Sequence, residues 1–499
     1  MAIHKIFGPP GSGKTTYLLD IVEQELAVVH PMSIGYFAFT RKASLEAKER
    51  ATAKFPHLNP DTDFPWFRTL HSLAYQCLGV SNKDIMKPEN YREFAAQAGI
   101  TMGPLVSDED DCVVHADNPI LNEINIARIK GLDLHTHYNQ SQMGIEWHHF
   151  EYVERAYRHF KENAGLLDFT DLLELINAQP ERLPKLTVVI LDEAQDLSTL
   201  QWTLVQNLMK RATRSFIAGD DDQAVYTWAG ADVDSFLNCE GDIRVLQQSY
   251  RVPARVHALA TQVVQRIRKR QPKSWNSREV EGNITYYRDY MHVDISTGEW
   301  LILASANYML NDLYGWIKSQ GILFERHGQR SIAEATLAAV IGWESLRKGR
   351  SINYPTLKHI YKYLNSDFIA RGHKTLREAD PEALFTLDDL KARHGLLTDS
   401  IWHEALTKIG AEKIDYIIAI LRRGTKLTGK VQVKLSTIHG AKGGEADNVL
   451  LFTDLSPKFA KDYDHNADDI NRLLYVGITR TRETLHIIHP KDIRKAFRF

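Results

Sequence analysis

Cysteine is scarce in this chain of 499 residues. The three cysteines, Cys77, Cys112 and Cys239, are far apart and form no CxxC pair, so neither a zinc knuckle nor a disulfide framework is supported. Such cysteine usage fits a reducing compartment best. The sequence therefore predicts a cytoplasmic protein.

Long apolar runs and repeats are also missing. No segment approaches the roughly 20 apolar residues of a membrane-spanning helix. The opening residues MAIHKIFGPP contain no apolar run of signal-peptide length. We expect a soluble protein that is not exported and has no membrane partner.

Neither sign of charge is in large excess, since the formal net charge is −2. This balance does not exclude nucleic acid, because binding depends on where basic residues cluster and not on their sum. The composition, 43% hydrophobic and 25% charged, is that of an ordinary soluble protein. The length exceeds the roughly 250 to 300 residues at which single cores stop growing, which predicts two to four domains.

A phosphate-binding motif stands near the start of the chain, in HKIFGPPGSGKTTYLLDIVEQEL. The segment predicts a strand, a GxxxxGK[ST] loop and a helix, which is the context that the motif requires. The glycines let backbone N–H groups face phosphate oxygens, Lys14 reaches the terminal phosphates, and the Thr15 hydroxyl can bind Mg²⁺. A glycine-rich turn with a chance lysine is the alternative. The candidate nucleotide-binding residues are Gly8, Pro9, Pro10, Gly11, Ser12, Gly13, Lys14, Thr15 and Thr16.

A pair of acids follows a predicted buried strand at 186–191, in KLTVVILDEAQDLS. Asp192 is placed to hold Mg²⁺ through water, and Glu193 to polarise the attacking water. Small-molecule kinases do not need such a glutamate, so the pair indicates a nucleoside triphosphatase that holds Mg²⁺ with its nucleotide. A charged N-cap of the next helix is the alternative interpretation.

The segment GDDDQAVYTWAGAD at 219–232 combines acids, an amide and aromatic rings. It follows another predicted strand, so Gln223 lies within reach of a γ-phosphate at the same sheet edge. Tyr226 and Trp228 would then move with that amide, and uncovered rings suit stacking on bases. The alternative for Trp228 is a place in the core, where tryptophan is usually found.

The order of these motifs resembles superfamily 1 helicases, and within them the UvrD/Rep/PcrA-like group. The resemblance extends over most of both ends of the chain. It is carried further by IGYFAFTRKASLEAKER (34–50), FRTLHSLAYQCL (67–78), LLDFTDLL (166–173), LQQSYR (246–251), VKLSTIHGAKGGEADNVLLF (433–452) and NRLLYVGITRTRETLHII (471–488).

The resemblance implies roles for further residues. Tyr250 takes the place of the ring that stacks on the ATP base, and Glu445 the place of the residue that reaches the nucleotide sugar. Arg251 and Arg480 would reach the γ-phosphate from the second motor domain, so that hydrolysis and domain closure become one event. DNA contacts are implied for Phe39, Thr40, Arg41, Thr69, His71, Tyr226, Trp228, Thr437 and His439.

The fold implied is α/β, with two RecA-like P-loop motor domains that have parallel sheets and mainly helical insertions. The expected first domain comprises 1–78 and 166–245, with insertion 79–165. The expected second comprises 246–325 and 425–499, with insertion 326–424. The implied activity is an ATP-dependent single-stranded DNA translocase and helicase that moves 3′ to 5′. Its partners are single strands, junctions with duplex and replication or repair proteins, and it would act as a monomer on DNA.

Two alternatives for the function stay open: a related RNA helicase, and a nucleotide-gated DNA-binding switch that does not travel. The compact insertions suit a bacterial or phage enzyme. Ser305 stands where the family commonly has arginine, and GGEA at 443–446 lacks two usual apolar anchors. The glutamine segment that reads adenine in the family does not precede Gly8, so the resemblance does not fix a preference for ATP.

Several other features predict ordinary surface or packing roles. The acids of DEDDC at 108–112 suggest a solvated loop, and the histidines at 135, 137, 148 and 149 suggest surface or packed side chains. The basic run RIRKRQPK at 266–273 suggests either a phosphate contact or a solvated helix face.

Overall fold

The structure is a computed structural model of the chain. It describes residues 2–103, 106–107, 114–115, 118–141, 143–373, 376, 380–461, 463–464 and 466–498. The acidic run at 108–112 lies outside the described residues.

The strands and helices alternate along much of the chain. The strands are β1 Ala2–Phe7, β2 Ile34–Ala38, β3 Phe67–Thr69, β4 Val106–Ser107, β5 Val114–His115, β6 Val188–Leu191, β7 Arg214–Gly219, β8 Asp242–Val245, β9 Gln248–Pro253, β10 Asn276–Arg278, β11 Asn283–Tyr287, β12 Trp300–Ala304, β13 Phe324–Arg326, β14 Gln329–Arg330, β15 Ile352–Asn353, β16 Leu384–Phe385, β17 Val433–Thr437, β18 Ala446–Phe452 and β19 Thr481–Ile488. The α-helices are α1 Lys14–Leu26, α2 Arg41–Lys54, α3 Leu70–Leu78, α4 Pro88–Ala98, α5 Pro119–Ile129, α6 Leu134–Gln140, α7 Trp147–Ala164, α8 Phe169–Ala178, α9 Thr199–Met209, α10 Val233–Asn238, α11 Ala254–Val264, α12 Asn311–Ser319, α13 Glu334–Arg347, α14 Tyr354–Tyr363, α15 Leu387–Arg393, α16 Trp402–Ala405, α17 Ala411–Arg422, α18 Pro457–Lys461 and α19 Ala467–Ile478.

The chain forms two compact units, and the first contains 1–281 and 463–479. Its six-stranded sheet has the order β3-β2-β6-β7-β1-β8, and every pairing is parallel. Successive strand residues face opposite cores, since Tyr36 packs with α1 and α2 while Phe37 packs with α3, α8 and α9. Helices on both faces explain why β2 and β6 are buried along their whole length.

Helices α4 to α7 lie within the predicted first insertion and share a core of their own. An ionic cluster joins α5 and α7 to α8. Lys161 Nζ lies 2.6 Å from carboxylate oxygens of both Asp168 and Asp171, and Arg128 lies 2.8 Å from Asp168. Asp168 also caps α8 by accepting from the Asp171 N–H. The LLDFTDLL segment thus links α8 to α5 and α7 within the first unit.

The second compact unit contains 282–462 and 480–499. Its seven-stranded sheet has the order β11-β19-β18-β12-β17-β13-β14, parallel except for the short β13–β14 hairpin. Residues of β12, including Trp300 and Ile302, share one core with α12, α13, α14 and α17. The expected α/β class with parallel sheets is confirmed for both units.

The compact units divide the chain differently from the predicted boundaries at two segments. Residues 246–281 and 463–479, expected in the second domain, belong to the first unit. The reason for the first segment is that β9 pairs only with β10, among the described residues, and not with the second sheet. The reason for the second is that Arg472 of α19 donates to the backbone oxygens of Asp221 and Lys269.

Within the described parts of the chain, no helix has both the length and the apolar character needed to cross a membrane.

Candidate functional site

The phosphate-binding loop connects β1 to α1, as the motif predicts. Gly11 and Gly13 have φ of +70° and +76°, which favours glycine. A Cβ on Gly8 would lie 1.8 Å from Lys14 Cγ, so only glycine leaves room for that lysine. The Gly8 N–H donates to the Gly219 oxygen over 3.0 Å, which fixes the loop against the end of β7.

Two proposed Mg²⁺ ligands lie together at this loop. The Thr15 hydroxyl donates to Asp192 Oδ2 over 3.2 Å. The buried Tyr36 hydroxyl donates to the same oxygen over 3.1 Å. Burial and then the charge of Glu193 raise the pKa of Asp192. Tyr36 escaped the sequence analysis, although a phenol inside an otherwise apolar strand is a usable signal.

Glu193 has a strained backbone, with φ of +53°. Its Oε1 lies 3.1 Å from Lys14 Nζ. Burial alone would lower the pKa of Lys14, but the charges of Glu193 and Asp192 outweigh burial and raise that pKa. The lysine that is expected to meet phosphate is therefore held, fully charged, by the carboxylate expected to activate water.

A glutamine that the sequence analysis did not single out connects the two acidic segments. Gln195 Nε2 donates to Glu193 Oε2 over 2.5 Å, while its Oε1 accepts from the Asp220 N–H over 2.9 Å. A Cβ on Gly219 would lie 2.5 Å from that Oε1, so the approach requires glycine. Gln223 Nε2 completes the connection by donating to Asp220 Oδ2 over 2.7 Å. The predicted neighbours Glu193 and Gln223 are therefore linked.

The three acids after β7 are buried, and among the described residues they form a carboxylate group that is close enough to hold a metal ion. A cation from the chain fills this position instead. Lys273 Nζ lies within 2.6–3.0 Å of Asp220, Asp221 and Asp222, and Arg270 pairs with Asp222. The basic run at 266–273 follows α11 and is not helical, so both interpretations of it were wrong for Arg270 and Lys273.

Tyr250 and Arg251 lie beside the phosphate-binding loop. The Tyr250 N–H donates to the Gly11 oxygen over 2.8 Å, and Ser249 Oγ donates to the Pro10 oxygen over 2.7 Å. The Tyr250 side chain is 71% exposed, as a ring that stacks on a base would be. The expectation that Arg251 lies on a different domain from the loop is corrected, because these hydrogen bonds hold its segment within the first unit.

The predicted DNA-contacting rings of the first unit lie near one another. Phe39 and Tyr226 stack, with centroids 5.7 Å apart and planes 25° apart. The two rings therefore form one stacked pair. Trp228 is 51% exposed, which excludes the core alternative for this residue.

The polar DNA candidates of the first unit have local roles as well. Thr40 caps α2 by accepting from the Ala43 N–H, and Thr69 caps α3 in the same way. Arg41 is exposed at the start of α2. Burial lowers the pKa of His71 to about 4, so its imidazole is neutral at physiological pH.

The candidates of the second unit lie at the ends of its strands. Thr437 Oγ1 accepts from the Gly440 N–H over 3.1 Å, and His439 follows β17 half-buried. Glu445 lies 3.6 Å from the guanidinium of Arg482. Arg480 is buried, and its Nη1 donates to the Gly444 oxygen over 3.4 Å.

Two of the four histidines named in the sequence have the surface or packed places that were expected, since His135 is exposed and His137 is buried. His137 Nε2 lies 2.7 Å from Glu123 Oε2, and the His135 ring lies edge-on to Trp147. Neither arrangement is that of a metal site.

Fold and site together define a P-loop protein with two RecA-like domains. Residues 3–244 match the family described as UvrD/REP helicase N-terminal domain. Residues 409–492 match the family described as UvrD-like helicase C-terminal domain. The chain belongs to the UvrD/Rep/PcrA-like family of superfamily 1.

Curated relatives agree with this membership. ATP-dependent DNA helicase PcrA of Bacillus subtilis is 28% identical over 380 residues, which cover 71% of this chain and 50% of the relative. DNA helicase II of Salmonella typhimurium is 26% identical over 379 residues, with coverage of 71% and 51%. PcrA of Leuconostoc citreum is 27% identical over 355 residues, with coverage of 67% and 46%. The chain spans about half the length of the curated relatives it matches.

Proposed function

We propose that the chain is an ATP-driven single-stranded DNA translocase and DNA helicase. The observation that carries this proposal is the hydrogen-bonded connection from Glu193 through Gln195 and Asp220 to Gln223. Gln223 stands three residues before Tyr226, so the hydrolytic carboxylate is joined to the loop that bears the stacking rings. A motor needs this kind of link between phosphate chemistry and strand contact. The names of the relatives, ATP-dependent DNA helicases, support the same conclusion.

The residues at the loop fit a magnesium nucleotide. Ser12 Oγ is buried and makes no hydrogen bond to the rest of the described chain, so a phosphate oxygen would satisfy it. Thr15 and Asp192 supply the two adjacent oxygens that would hold Mg²⁺. If bound there, the ion would supply positive charge that offsets the charge developing on the phosphate during transfer. Tyr250 is proposed to stack on the base, and Glu445 to reach the sugar.

Lys14 has to change partners in the proposed reaction. Its ammonium contacts Glu193 Oε1, whereas a terminal phosphate would draw it away. Gln195 continues to hold Oε2, so Glu193 stays oriented while Oε1 becomes available to polarise water. Arg251 lies beside the loop and is proposed to stabilise the γ-phosphate. Arg480 is proposed for the same role from its motif.

The nucleic-acid side of the proposal rests on rings and small polar groups. Stacking is worth about 1–3 kcal/mol per base and tolerates any sequence, because every base has a π-face. The exposed Trp228 and the pair Phe39 and Tyr226 supply such rings, and Thr437 and His439 are proposed contacts of the second unit. We further propose that the protein moves in the 3′ to 5′ direction and acts as a monomer at junctions between single-stranded and duplex DNA. Its proposed partners are replication or repair proteins, and its proposed location is the cytoplasm.

The test is the steady-state release of phosphate from ATP in three conditions: without nucleic acid, with single-stranded DNA, and with RNA of the same sequence. Strong stimulation by DNA alone supports the motor, and duplexes with 3′ or 5′ tails then test unwinding and its direction. Equal stimulation by RNA would favour the related RNA helicase. No stimulation by either polymer would overturn the motor and leave a nucleotide-gated switch.

The variant Glu193→Gln separates chemistry from binding. It preserves the size of the side chain but removes the carboxylate that polarises water. We expect turnover to vanish while ATP-dependent DNA binding persists. Loss of ATP binding in this variant would contradict the role assigned to Glu193.

A further inference from the structure

The most unusual group outside the hydrolytic set is a fully enclosed ammonium. The side chain of Lys273 is 0% exposed, and its Nζ lies 3.0 Å from Asp220, 2.6 Å from Asp221 and 2.6 Å from Asp222. Of this ammonium and its three carboxylates, only Asp220 takes part in the hydrolytic role proposed above. A cluster of this kind needs an explanation, because enclosing charges in the interior is costly unless they are paired.

Further contacts hold two of these acids, Asp221 and Asp222. The Arg270 guanidinium makes two hydrogen bonds of 2.7 Å to the carboxylate of Asp222. The Gln271 N–H donates to Asp221 Oδ2 over 2.8 Å, and Arg472 Nε donates to the Asp221 backbone oxygen over 3.0 Å. The short segment after β7 is therefore fixed through its side chains and its backbone.

The fixed segment lies between two groups with assigned roles. On one side, the carboxylate of Asp220 has two partners. Its Oδ2 accepts from the Gln223 amide, and Lys273 contacts its other oxygen. On the other side Thr227, next to Trp228, donates to Asp469 Oδ2 over 2.7 Å, and Asp469 pairs with Arg472. The ionic cluster thus connects the amide that meets the phosphate with the backbone that carries the rings.

Stability alone does not account for such a cluster. Well-packed apolar side chains of similar volume often replace buried ion pairs at no cost in stability, whereas in some proteins buried charged or polar groups fix one conformation or register. Three carboxylates around one ammonium also restrict the position of the ammonium more than a single ion pair would.

We propose that Lys273 is a positioning residue for the nucleotide-sensing segment. Its ammonium holds the three carboxylates in one arrangement, so that a change at Gln223 is transmitted to the rings at 226–228 and is not absorbed by the intervening backbone. This inference rests on the proposed function, because it concerns how ATP and DNA binding are coupled.

The test compares Lys273→Met with a matched control, Lys161→Met. Lys161 is also buried in the first unit, with Asp168 and Asp171 each 2.6 Å away, but it links α7 to α8. Both variants lose a buried cation and should lose stability. Only Lys273→Met should lose coupling, so the comparison removes the general effect of an uncompensated charge.

Three quantities are measured in each variant at a temperature where both are folded. They are the KM for ATP, the factor by which single-stranded DNA stimulates kcat, and the ratio of DNA Kd values without and with a non-hydrolysable ATP analogue. In Lys273→Met we expect the stimulation to fall at least about tenfold and the Kd ratio to approach 1, a loss within the usual range of coupling between sites. The KM should stay within about threefold, because Lys273 forms its ion pairs with the three acids after β7.

A coupling in Lys273→Met equal to that in Lys161→Met would overturn the proposal and leave Lys273 a structural residue. If Lys273→Met does not fold, Lys273→Gln replaces it. Its neutral amide has only two N–H donors for the three carboxylates that the ammonium contacts, so at least one carboxylate is released and coupling should again fall below that of the control. A parent protein that DNA does not stimulate overturns the proposed function and this inference together. A stimulated parent whose Lys273→Met variant keeps full coupling overturns this inference alone.

Discussion

The strained backbone at Glu193 allows a test of the site that does not depend on substrate. A left-handed conformation costs a residue with a Cβ roughly 1–2 kcal/mol. Glycine adopts it freely, but loses about 0.5–1 kcal/mol more conformational entropy on folding. At φ of +53° the Glu193→Gly variant should therefore be more stable than Glu193→Ala by roughly 0.5–1 kcal/mol. Both variants lose the same contacts with Lys14 and Gln195, so their difference isolates the backbone.

The assay is the midpoint of thermal unfolding of the two variants, with ATP hydrolysis measured in parallel. The glycine variant should unfold roughly 1–2 °C higher, and both should be inactive. Ala27 supplies the control, since it is exposed at φ of −70° and Ala27→Gly should lower the midpoint. An alanine variant at 193 as stable as the glycine variant would refute the claim that strain is stored at the hydrolytic residue.

Three further outcomes are expected. Trp228→Ala should weaken binding of single-stranded DNA by about 1–3 kcal/mol in a fluorescence titration, whereas Tyr152→Ala, which removes an exposed ring of α7, should leave it unchanged. Lys161→Met should lower the free energy of unfolding by about 3–5 kcal/mol in a denaturant titration, because it leaves Asp168 buried beside fewer cations. His71 has a pKa of about 4 when folded and about 6.5 when unfolded, so its contribution to stability is lost as the pH falls from about 6.5 to 4. When the pH is lowered from 7.5 to 5, the midpoint of thermal unfolding should therefore fall less in the His71→Gln variant than in the parent.

The parts of the candidate site that could be predicted are those formed by residues close together in the sequence. The loop at 8–16 needs only glycines and a lysine in fixed positions, and the acids at 192 and 193 follow a strand that apolar residues define. Parallel pairing then brings separate strand ends to one edge of the sheet. These rules suffice for Lys14, Asp192 and Gln223, because each residue is placed by the element immediately beside it.

The same rules could not find partners that are distant in the chain. Tyr36 donates to Asp192 across 156 positions, and Ser249 reaches the phosphate-binding loop across 239. The segment at 246–281 was assigned to the second domain because motif order carries no information about which sheet a segment packs against. Hydrogen bonds to the loop decide that question, and they depend on backbone groups that every residue has.

The acids at 220–222 show why charge patterns are ambiguous in one dimension. Three consecutive aspartates after a strand suit a cation, and the phosphate contact that was one interpretation of the basic run at 266–273 is a place for an anion. Each inference about chemistry was reasonable, but each group satisfies the other. The ammonium of Lys273 is the cation, and its enclosure by carboxylates explains how acids can lie next to the loop of Trp228 without requiring a metal ion. Because the ammonium is part of the chain, the arrangement of this segment does not depend on an ion that could dissociate, and Gln223 remains the group through which, in the proposed function, a phosphate would alter it.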